Sequence, residues 1–223
     1  MTKIAFVGVP AAGKTTIMRA FVEAKRKAGM DVNIIVSDFV INHRIQKEDP
    51  IIKQYEKEHG PIGPEIFLAE NRCIALAKNK KQSVLEHLEQ CFLLDIINLA
   101  QEGDYIDFGG RALLFPEVRK LLKEKGFVII FLSATLETVW KRLENDEEWR
   151  TRPTYVTAEE NNPGNGWRDN AIAHRNRIKD FEKIADHTIS VDDKSVEDIV
   201  NEALTLLETY KHTEQKTNHF VCR

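Results

Sequence analysis

A glycine-containing segment near the N-terminus has the residue types of a phosphate-binding loop. Residues 8–15 read Gly-Val-Pro-Ala-Ala-Gly-Lys-Thr, which matches G-x-x-x-x-G-K-[ST], and they lie between an apolar run and a stretch with helical spacing. In such a loop the backbone N–H groups point inward, Lys14 reaches the β- and γ-phosphates of ATP, and the Thr15 hydroxyl ligates Mg²⁺. The alternative is an ordinary strand-to-helix turn with a chance lysine. We predict that Lys14 is catalytic and that ATP is bound by Gly8, Ala11, Ala12, Gly13, Lys14, Thr15 and Thr16.

Two aspartates stand directly at the ends of predicted strands. Asp38 follows the run at 32–36, and Asp107 ends a short run at 105–107. Ligands of open α/β sheets bind at the carboxyl ends of the strands, so these carboxylates are the first candidates for chemistry. We assign Asp107, with Thr15, to the metal and Asp38 to the acceptor, whose hydroxyl proton it would accept. The alternative for either aspartate is a helix cap or a turn.

Two glycines and an arginine come next in the chain. Gly109 and Gly110 permit close approach of the backbone to a ligand, and Arg111 is suited to pairing with an anionic group of the acceptor. We therefore predict that all three residues bind substrate. The alternative for Arg111 is a solvated arginine at the start of a helix.

A polar segment at 144–168 has no convincing apolar period and contains Arg150 and Arg152. Long polar segments within a compact domain are usually functional or disordered. For phosphoryl transfer the functional interpretation is a lid, which closes over ATP, excludes water and brings arginine charge to the transferring group. We predict that Arg150 and Arg152 bind ATP and that Arg152 takes part in catalysis.

Short apolar runs alternate with helical patterns along the chain. The predicted strands lie at 3–9, 32–36, 105–107, 127–132 and 187–191, and the predicted helices at 15–28, 65–78, 83–101, 115–125, 136–143, 169–184 and 195–210. This alternation indicates an α/β fold with three layers, in which helices cover both faces of a parallel sheet of about five strands. We expect one domain over 1–210 and a polar tail at 211–223.

The composition excludes several classes of protein. The 223 residues carry a formal net charge of -3 with acidic and basic residues mixed, which argues against nucleic-acid binding. An odd number of cysteines, three, without metal-ligand spacing favours reduced thiols in a cytoplasmic protein. No apolar run reaches the roughly 20 residues of a membrane span. We expect a cytoplasmic monomer or weak homodimer that acts on a small molecule.

Beyond the loop, the chain resembles the shikimate kinases and, more broadly, the nucleoside-monophosphate-kinase-like P-loop kinases. The similarity lies in Ser37-Asp38, the helix motif at 65–70, the glycines at 108–111, Arg152-Pro153, and the late segment at 177–186. The resemblance implies a P-loop kinase fold with a lid, and transfer of the γ-phosphate of ATP to an acceptor hydroxyl with Mg²⁺. It also implies that Arg152 acts from the lid and that the acceptor is faced by Asp38, Gly109, Gly110 and Arg177.

The chain departs from the pattern of the shikimate kinases at three positions. Val36 replaces the first acid of an Asp-x-Asp pair, Leu68 stands where an arginine grips the shikimate carboxylate, and Arg111 replaces a third glycine. Other acceptors therefore stay open, namely a sugar acid, another polyol, or a nucleoside monophosphate bound by Arg111. A nucleotide-binding switch without small-molecule transfer is the alternative outside the enzymes.

Overall fold

Five parallel strands form the centre of the computed structural model, which describes residues 2–68, 81–145, 149–150 and 153–220. The strands are β1 (Lys3–Gly8), β2 (Asn33–Val36), β3 (Asp104–Asp107), β4 (Phe127–Ser133) and β5 (His187–Ser190). They hydrogen-bond in the order β2-β3-β1-β4-β5, and every pair is parallel. The prediction of a parallel sheet of about five strands is confirmed.

Helices cover the sheet and make the fold a three-layer α/β/α sandwich, as predicted. They are α1 (Lys14–Lys27), α2 (Ser37–Arg44), α3 (Pro50–His59), α4 (Pro64–Leu68), α5 (Gln82–Leu99), α6 (Pro116–Glu124), α7 (Leu136–Glu144), α8 (Pro153–Asn161), α9 (Gly166–Ile178) and α10 (Val196–Phe220). Within the described parts of the chain, no helix has both the length and the apolar character needed to cross a bilayer.

The register of the strands brings the functional segments to one edge of the sheet. Asp107, the last residue of β3, is level with Val36 of β2 and with Phe6 of β1, while Gly8 is level with Leu132 of β4. All five strands are parallel, so their carboxyl ends lie at the same edge of the sheet. The chain places β2 and β3 on one side of β1 and then β4 and β5 on the other side, so the strand order reverses at β1. Such a switch point is where open α/β sheets bind ligands.

Aromatic packing holds α1 against the middle of the sheet. The Phe21 ring of α1 lies 5.6 Å from the Phe6 ring of β1 and 5.5 Å from the Tyr105 ring of β3, measured between ring centroids. Phe6 and Phe21 are fully buried. Because α1 starts immediately after the glycine-containing loop, this packing fixes the direction in which the loop leaves β1.

Two helices, α2 and α3, were not predicted from the sequence. Ser37 and Asp38 were interpreted as the stop of a strand, whereas they form the first turn of α2. The helix α3 begins with Pro50 after Asp49, whose carboxylate accepts a hydrogen bond from the Ile51 N–H at 2.9 Å. Each of these helices buries few residues: Ser37 and Ile41 in α2, and Ile52 in α3. In α2 the apolar periodicity that indicates a helix is also weak.

The segment predicted as a polar lid contains the helix α8, so it is not an irregular loop throughout. Tyr155 of α8 and Trp167 of α9 are both buried, and the two helices pack together. The last helix also extends beyond its predicted end at 210, because α10 continues to Phe220. Of the helix predicted at 65–78, the part after Leu68 lies outside the described residues.

Gly8 is placed where a side chain cannot be accommodated. A β-carbon at this position would lie 2.5 Å from the carbonyl oxygen of Leu132 in β4. We expect Gly8→Ala to lower the free energy of unfolding by about 2–4 kcal/mol, because backbone in the centre of the sheet must move. Urea denaturation measures this loss.

The matched control is Gly126→Ala, where an added methyl group meets nothing within 4 Å but the backbone φ is +69°. Its cost should be confined to about 1–2 kcal/mol for the left-handed conformation. Equal losses for the two variants would contradict the steric argument.

Candidate active site

The segment between β1 and α1 forms a tight loop with two residues in the left-handed region of φ. Ala11 has φ +59° and Gly13 has φ +78°. The Ala12 N–H donates to the Val9 carbonyl at 3.2 Å, and the Val9 N–H donates to the Leu132 carbonyl at 3.3 Å. A positive φ at alanine costs free energy and persists where the surrounding structure requires it, which is common at ligand-binding loops.

The N-terminus of α1 is directed at the space enclosed by this loop. No side chain caps the helix at Gly13, and its first turn contains no acidic residue. Lys14 Nζ lies 3.5 Å from the Gly8 carbonyl oxygen, so the ammonium group folds back over the loop. The N–H groups of the first turn of a helix, the helix dipole and a lysine are the features that bind phosphate groups, in agreement with the predicted role of this loop.

Asp107 and Thr15 meet at the edge of this space. The Thr15 hydroxyl donates to Asp107 Oδ2 at 2.5 Å, and the Asp107 side chain is buried. Burial raises the pKa of the Asp107 carboxyl, while Lys14, the Thr15 hydrogen bond and Arg19 act in the opposite direction. A buried carboxylate next to a hydroxyl is a donor set that suits Mg²⁺, so the predicted metal residues fit that ion.

The loop borders a cleft of about 740 Å³ that reaches to the segment after β5. Arg142 of α7 donates to the Ala11 carbonyl at 3.1 Å and to the Val191 carbonyl at 3.3 Å, joining the two sides of the cleft. Its further lining comes from residues at 11–17, Val36, Asp38, Asp107, Asn145, Lys194, Val196 and Ile199. Sequence reasoning missed Lys194 as a cleft residue, because it is far from the loop in the sequence.

Asp38 lies against the loop that follows β3. A β-carbon at Gly109 would stand 2.2 Å from Asp38 Oδ1, so only glycine allows this contact. The Gly109 N–H donates to the hydroxyl of buried Ser37 at 3.0 Å, which holds the start of α2 beside the loop. Asp38 and Asp107 line the same cleft as Lys14 and Thr15. Four of the residues assigned to chemistry from the sequence, Lys14, Thr15, Asp38 and Asp107, are therefore brought together.

His174 of α9 also reaches the glycine loop, and sequence reasoning missed it. A β-carbon at Gly110 would lie 3.0 Å from His174 Nε2. Only packing of α9 across the end of the sheet brings this imidazole to the loop, and no local motif indicates that packing.

Arg111 is engaged by two glutamates of α5. Its Nη2 donates to Glu86 Oε1 at 2.7 Å, and its Nε lies 3.6 Å from Glu89 Oε2. The Glu89 side chain is only 15% exposed. The pKa of Glu89 is raised to about 7, with burial as the largest cause; Arg111 acts to lower it, and Asp38 and Glu86 act to raise it. Arg111 thus lies next to the acceptor residues, but its charge is paired within the protein.

Aromatic stacking joins the described ends of the segment predicted as a lid. The Trp149 and Trp167 rings lie 6.3 Å apart and nearly parallel, and Arg150 and Arg168 each lie over one of them. The Arg150 guanidinium therefore packs over the Trp149 ring. Arg152 lies outside the described residues, and Arg177 is in α9 with a side chain that is not described.

A family model described as shikimate kinase matches residues 70–208 of the chain, which is more than half of its length. The chain belongs to the shikimate kinase family. This membership confirms the resemblance drawn from the motifs.

Relatives of known name agree with this membership. The shikimate kinase of Haemophilus influenzae (strain PittEE) is 27% identical over 205 residues, covering 92% of each chain. That of Burkholderia thailandensis is 30% identical over 154 residues, or 69% of this chain and 65% of the relative. The protein is accordingly an ATP-dependent phosphotransferase acting on a small molecule, as predicted.

Solved structures show the same fold. Shikimate kinase from Acinetobacter baumannii, crystallised in complex with shikimate, superposes with a TM-score of 0.65 at 18% identity and 95% coverage of both chains. Shikimate kinase from Bacteroides thetaiotaomicron gives 0.63 at 21% identity, covering 93% of this chain and 98% of that one. A gluconokinase from Sinorhizobium meliloti gives 0.53 at 15% identity with 97% coverage of both. The fold of this family therefore accommodates more than one kinase.

The position of Glu89 predicts a stability that depends on pH. Its pKa is about 7 in the folded protein against 4.5 for a free carboxyl, so the folded state holds an extra proton between these values. The free energy of unfolding must then fall as pH rises from about 4.5 to 7. Glu89→Gln removes this loss, and we expect its gain over wild type to be about 2 kcal/mol larger at pH 8 than at pH 5.

Urea denaturation at the two pH values measures the difference. Glu124→Gln removes an exposed carboxylate of α6 and serves as the control, with no such change expected. The argument fails if Glu89→Gln shifts stability equally at both pH values.

Proposed function

We propose that the protein transfers the γ-phosphate of Mg²⁺-bound ATP to a hydroxyl group of a small cyclic or linear polyol, with Asp38 orienting and deprotonating that hydroxyl. Shikimate, the substrate after which the family is named, is the first acceptor to test. The observation that carries the proposal is the presence of Lys14, Thr15, Asp107 and Asp38 in one cleft. Phosphoryl transfer is catalysed chiefly by position and charge, and this cleft supplies both.

On the ATP side, the loop N–H groups and Lys14 would bind the β- and γ-phosphates. Thr15 and Asp107 would hold Mg²⁺, which would offset the negative charge of the phosphates. The adenosine part is expected to lie toward Arg142 and Lys194, at the other end of the cleft.

On the acceptor side, Asp38 would accept the proton of the attacking hydroxyl. Gly109 and Gly110 let the backbone approach the acceptor, and Gly109 also admits the Asp38 carboxylate. Lid arginines, Arg150 and Arg152 among them, would add positive charge and exclude water on closure. Arg177 remains a proposed acceptor residue.

The nucleoside monophosphate alternative has little support from the geometry. Arg111, which would bind the acceptor phosphate, already donates to Glu86 and lies near Glu89. A monophosphate would have to displace two carboxylates from the guanidinium. The alternative without phosphoryl transfer, a nucleotide-dependent switch, does not agree with membership of a kinase family.

Asp38→Asn tests the role of the acceptor base. We expect kcat to fall about 10²- to 10⁴-fold, because general-base catalysis is lost, while the KM for ATP stays within about threefold of wild type. A coupled assay of ADP release with ATP, Mg²⁺ and shikimate measures both constants. Asp180→Asn, a change at an exposed aspartate paired with Lys183, is the matched control.

Lys14→Ala in the same assay distinguishes the enzyme from a contaminating kinase. Turnover that persists in Lys14→Ala would remove the P-loop from the mechanism. Unchanged kcat in Asp38→Asn would remove Asp38 as the base and leave it at most a binding residue.

A further inference from the structure

A second cavity, of about 360 Å³, lies at the carboxyl edge of the sheet. Its lining includes Val9, which follows β1, Ser133, which ends β4, and Asp192, which comes two residues after β5. None of its described lining residues also lines the cleft that contains Lys14 and Thr15. Open α/β sheets bind ligands in the crevices beyond the carboxyl ends of their strands, and the proposed transfer makes no use of this one.

Two cations from one helix face form one wall of the cavity. Arg175 and Lys179 both line it. They are four residues apart, and Lys179 keeps helical backbone angles at the end of α9, so the two residues are neighbours on the helix surface. Asp180, the acid that follows Lys179, pairs with Lys183 at 2.8 Å. Like charges at this spacing repel each other, and an anionic group bound between them would relieve that repulsion.

Asp192 supplies a fixed negative charge to another wall. Its Oδ1 accepts a hydrogen bond from the Thr135 N–H at 3.0 Å, and its Oδ2 accepts one from the Ser190 hydroxyl at 3.0 Å. Burial acts to raise the pKa of Asp192, but the hydrogen bonds from surrounding hydroxyl and N–H groups outweigh it and lower the pKa to about 2. The carboxylate is therefore ionised at neutral pH and is held in place by groups at the ends of β4 and β5.

The charges of the cavity do not neutralise one another directly. Glu182 adds a second carboxylate to the lining, which then has two cations and two acids among the described residues. In this part of the chain neither cation forms an ion pair with either acid. Ser133 and Asn176 add a hydroxyl and an amide group. The cavity thus offers positive, negative and hydrogen-bonding groups to a ligand that lies between them.

A ligand with a single sign of charge fits this lining poorly. An anion attracted by Arg175 and Lys179 would also meet the carboxylate of Asp192, and a cation attracted by Asp192 would meet the two basic groups. Like-charge contacts of this kind select against the wrong ligand. A ligand with one group of each sign satisfies both walls. It must also be small, because ligand pockets span roughly 300–1,000 Å³ and this cavity is near the lower limit.

We propose that this cavity binds a free α-amino acid with a polar, uncharged side chain. The carboxylate of the ligand lies between Arg175 and Lys179, its ammonium group faces Asp192, and its side chain hydrogen-bonds with Ser133 or Asn176. The site goes beyond the proposed function, because its occupation requires neither ATP nor the acceptor. Binding is noncovalent, so no bond is made or broken.

L-Glutamine and two analogues, each lacking one of its charges, test the inference. 4-Carbamoylbutanoate lacks the ammonium group, and 4-aminobutanamide lacks the carboxylate. We expect calorimetric titration of the wild-type protein to give a Kd for L-glutamine at least about tenfold lower than for either analogue. L-Serine and L-asparagine are titrated alongside, so that the result does not depend on the length of one side chain. An analogue that binds as tightly as L-glutamine overturns the inference.

Removal of the two cations should change the preference among these ligands. In the double variant Arg175→Ala and Lys179→Ala, we expect L-glutamine to bind about tenfold more weakly. The cation 4-aminobutanamide should bind about threefold more tightly than to the wild type, because the repulsion is removed, and misfolding cannot produce such a gain. The control variant Lys120→Ala, which removes an exposed lysine of α6, should change neither Kd.

Titration in the presence of saturating ADP and Mg²⁺ separates this site from the nucleotide cleft. L-Glutamine should still bind, since no described residue lines both cavities. Loss of its binding under these conditions, or unchanged binding in the double variant, places the ligand elsewhere and overturns the inference. Absence of binding by all three amino acids at about 10 mM overturns it as well. The proposed phosphoryl transfer is measured separately, by ADP release, and stands or fails independently of these results.

Discussion

The position of β1 between β3 and β4 is the constraint on which the active site depends. β1 pairs with β3 through Phe6 and Asp107, and with β4 through Gly8 and Leu132. Because all three strands are parallel, the predicted phosphate loop, Asp107 and the glycine loop leave the sheet on the same side. A shift of one residue in either register would turn Asp107 to the opposite face of the sheet and separate it from Thr15. Close backbone contact at Gly8 protects the register with β4.

The parts of the fold that follow local rules were predicted well from the sequence. Buried parallel strands are nearly continuous apolar runs, so β1 and β4 were recognisable, and the spacing of glycine and lysine identified the phosphate loop. The same logic located Asp38 and Asp107, because strand ends in parallel sheets share an edge. The helices α2 and α8 were harder, because contacts with distant parts of the chain stabilise them more than their own periodicity does.

Residues that reach the site from distant helices could not be predicted from one sequence. His174 and Glu89 carry no local sequence signal of a role in the site. His174 lacks the spacing of a metal-binding histidine, and Glu89 is an acidic residue on a helix that contains both polar and apolar residues. Their positions depend on how α9 and α5 cross the glycine loop, which is a matter of tertiary packing. The surroundings of Arg111 also depend on tertiary packing. The sequence predicted that Arg111 binds an anionic group of the acceptor, and in the structure its guanidinium lies beside the carboxylates of Glu86 and Glu89.

Arg142 has a consequence for the order of events during synthesis. Its guanidinium connects the carbonyl of Ala11, near the N-terminus, to that of Val191, near the end of the sheet. During synthesis the segment around Ala11 leaves the ribosome long before β5, so the side of the cleft that follows β5 is missing until β5 has emerged. Domains tend to fold as units during translation. The cleft is therefore complete only late in synthesis, and a ligand that binds in it would stabilise the segments around Ala11 and Val191 together.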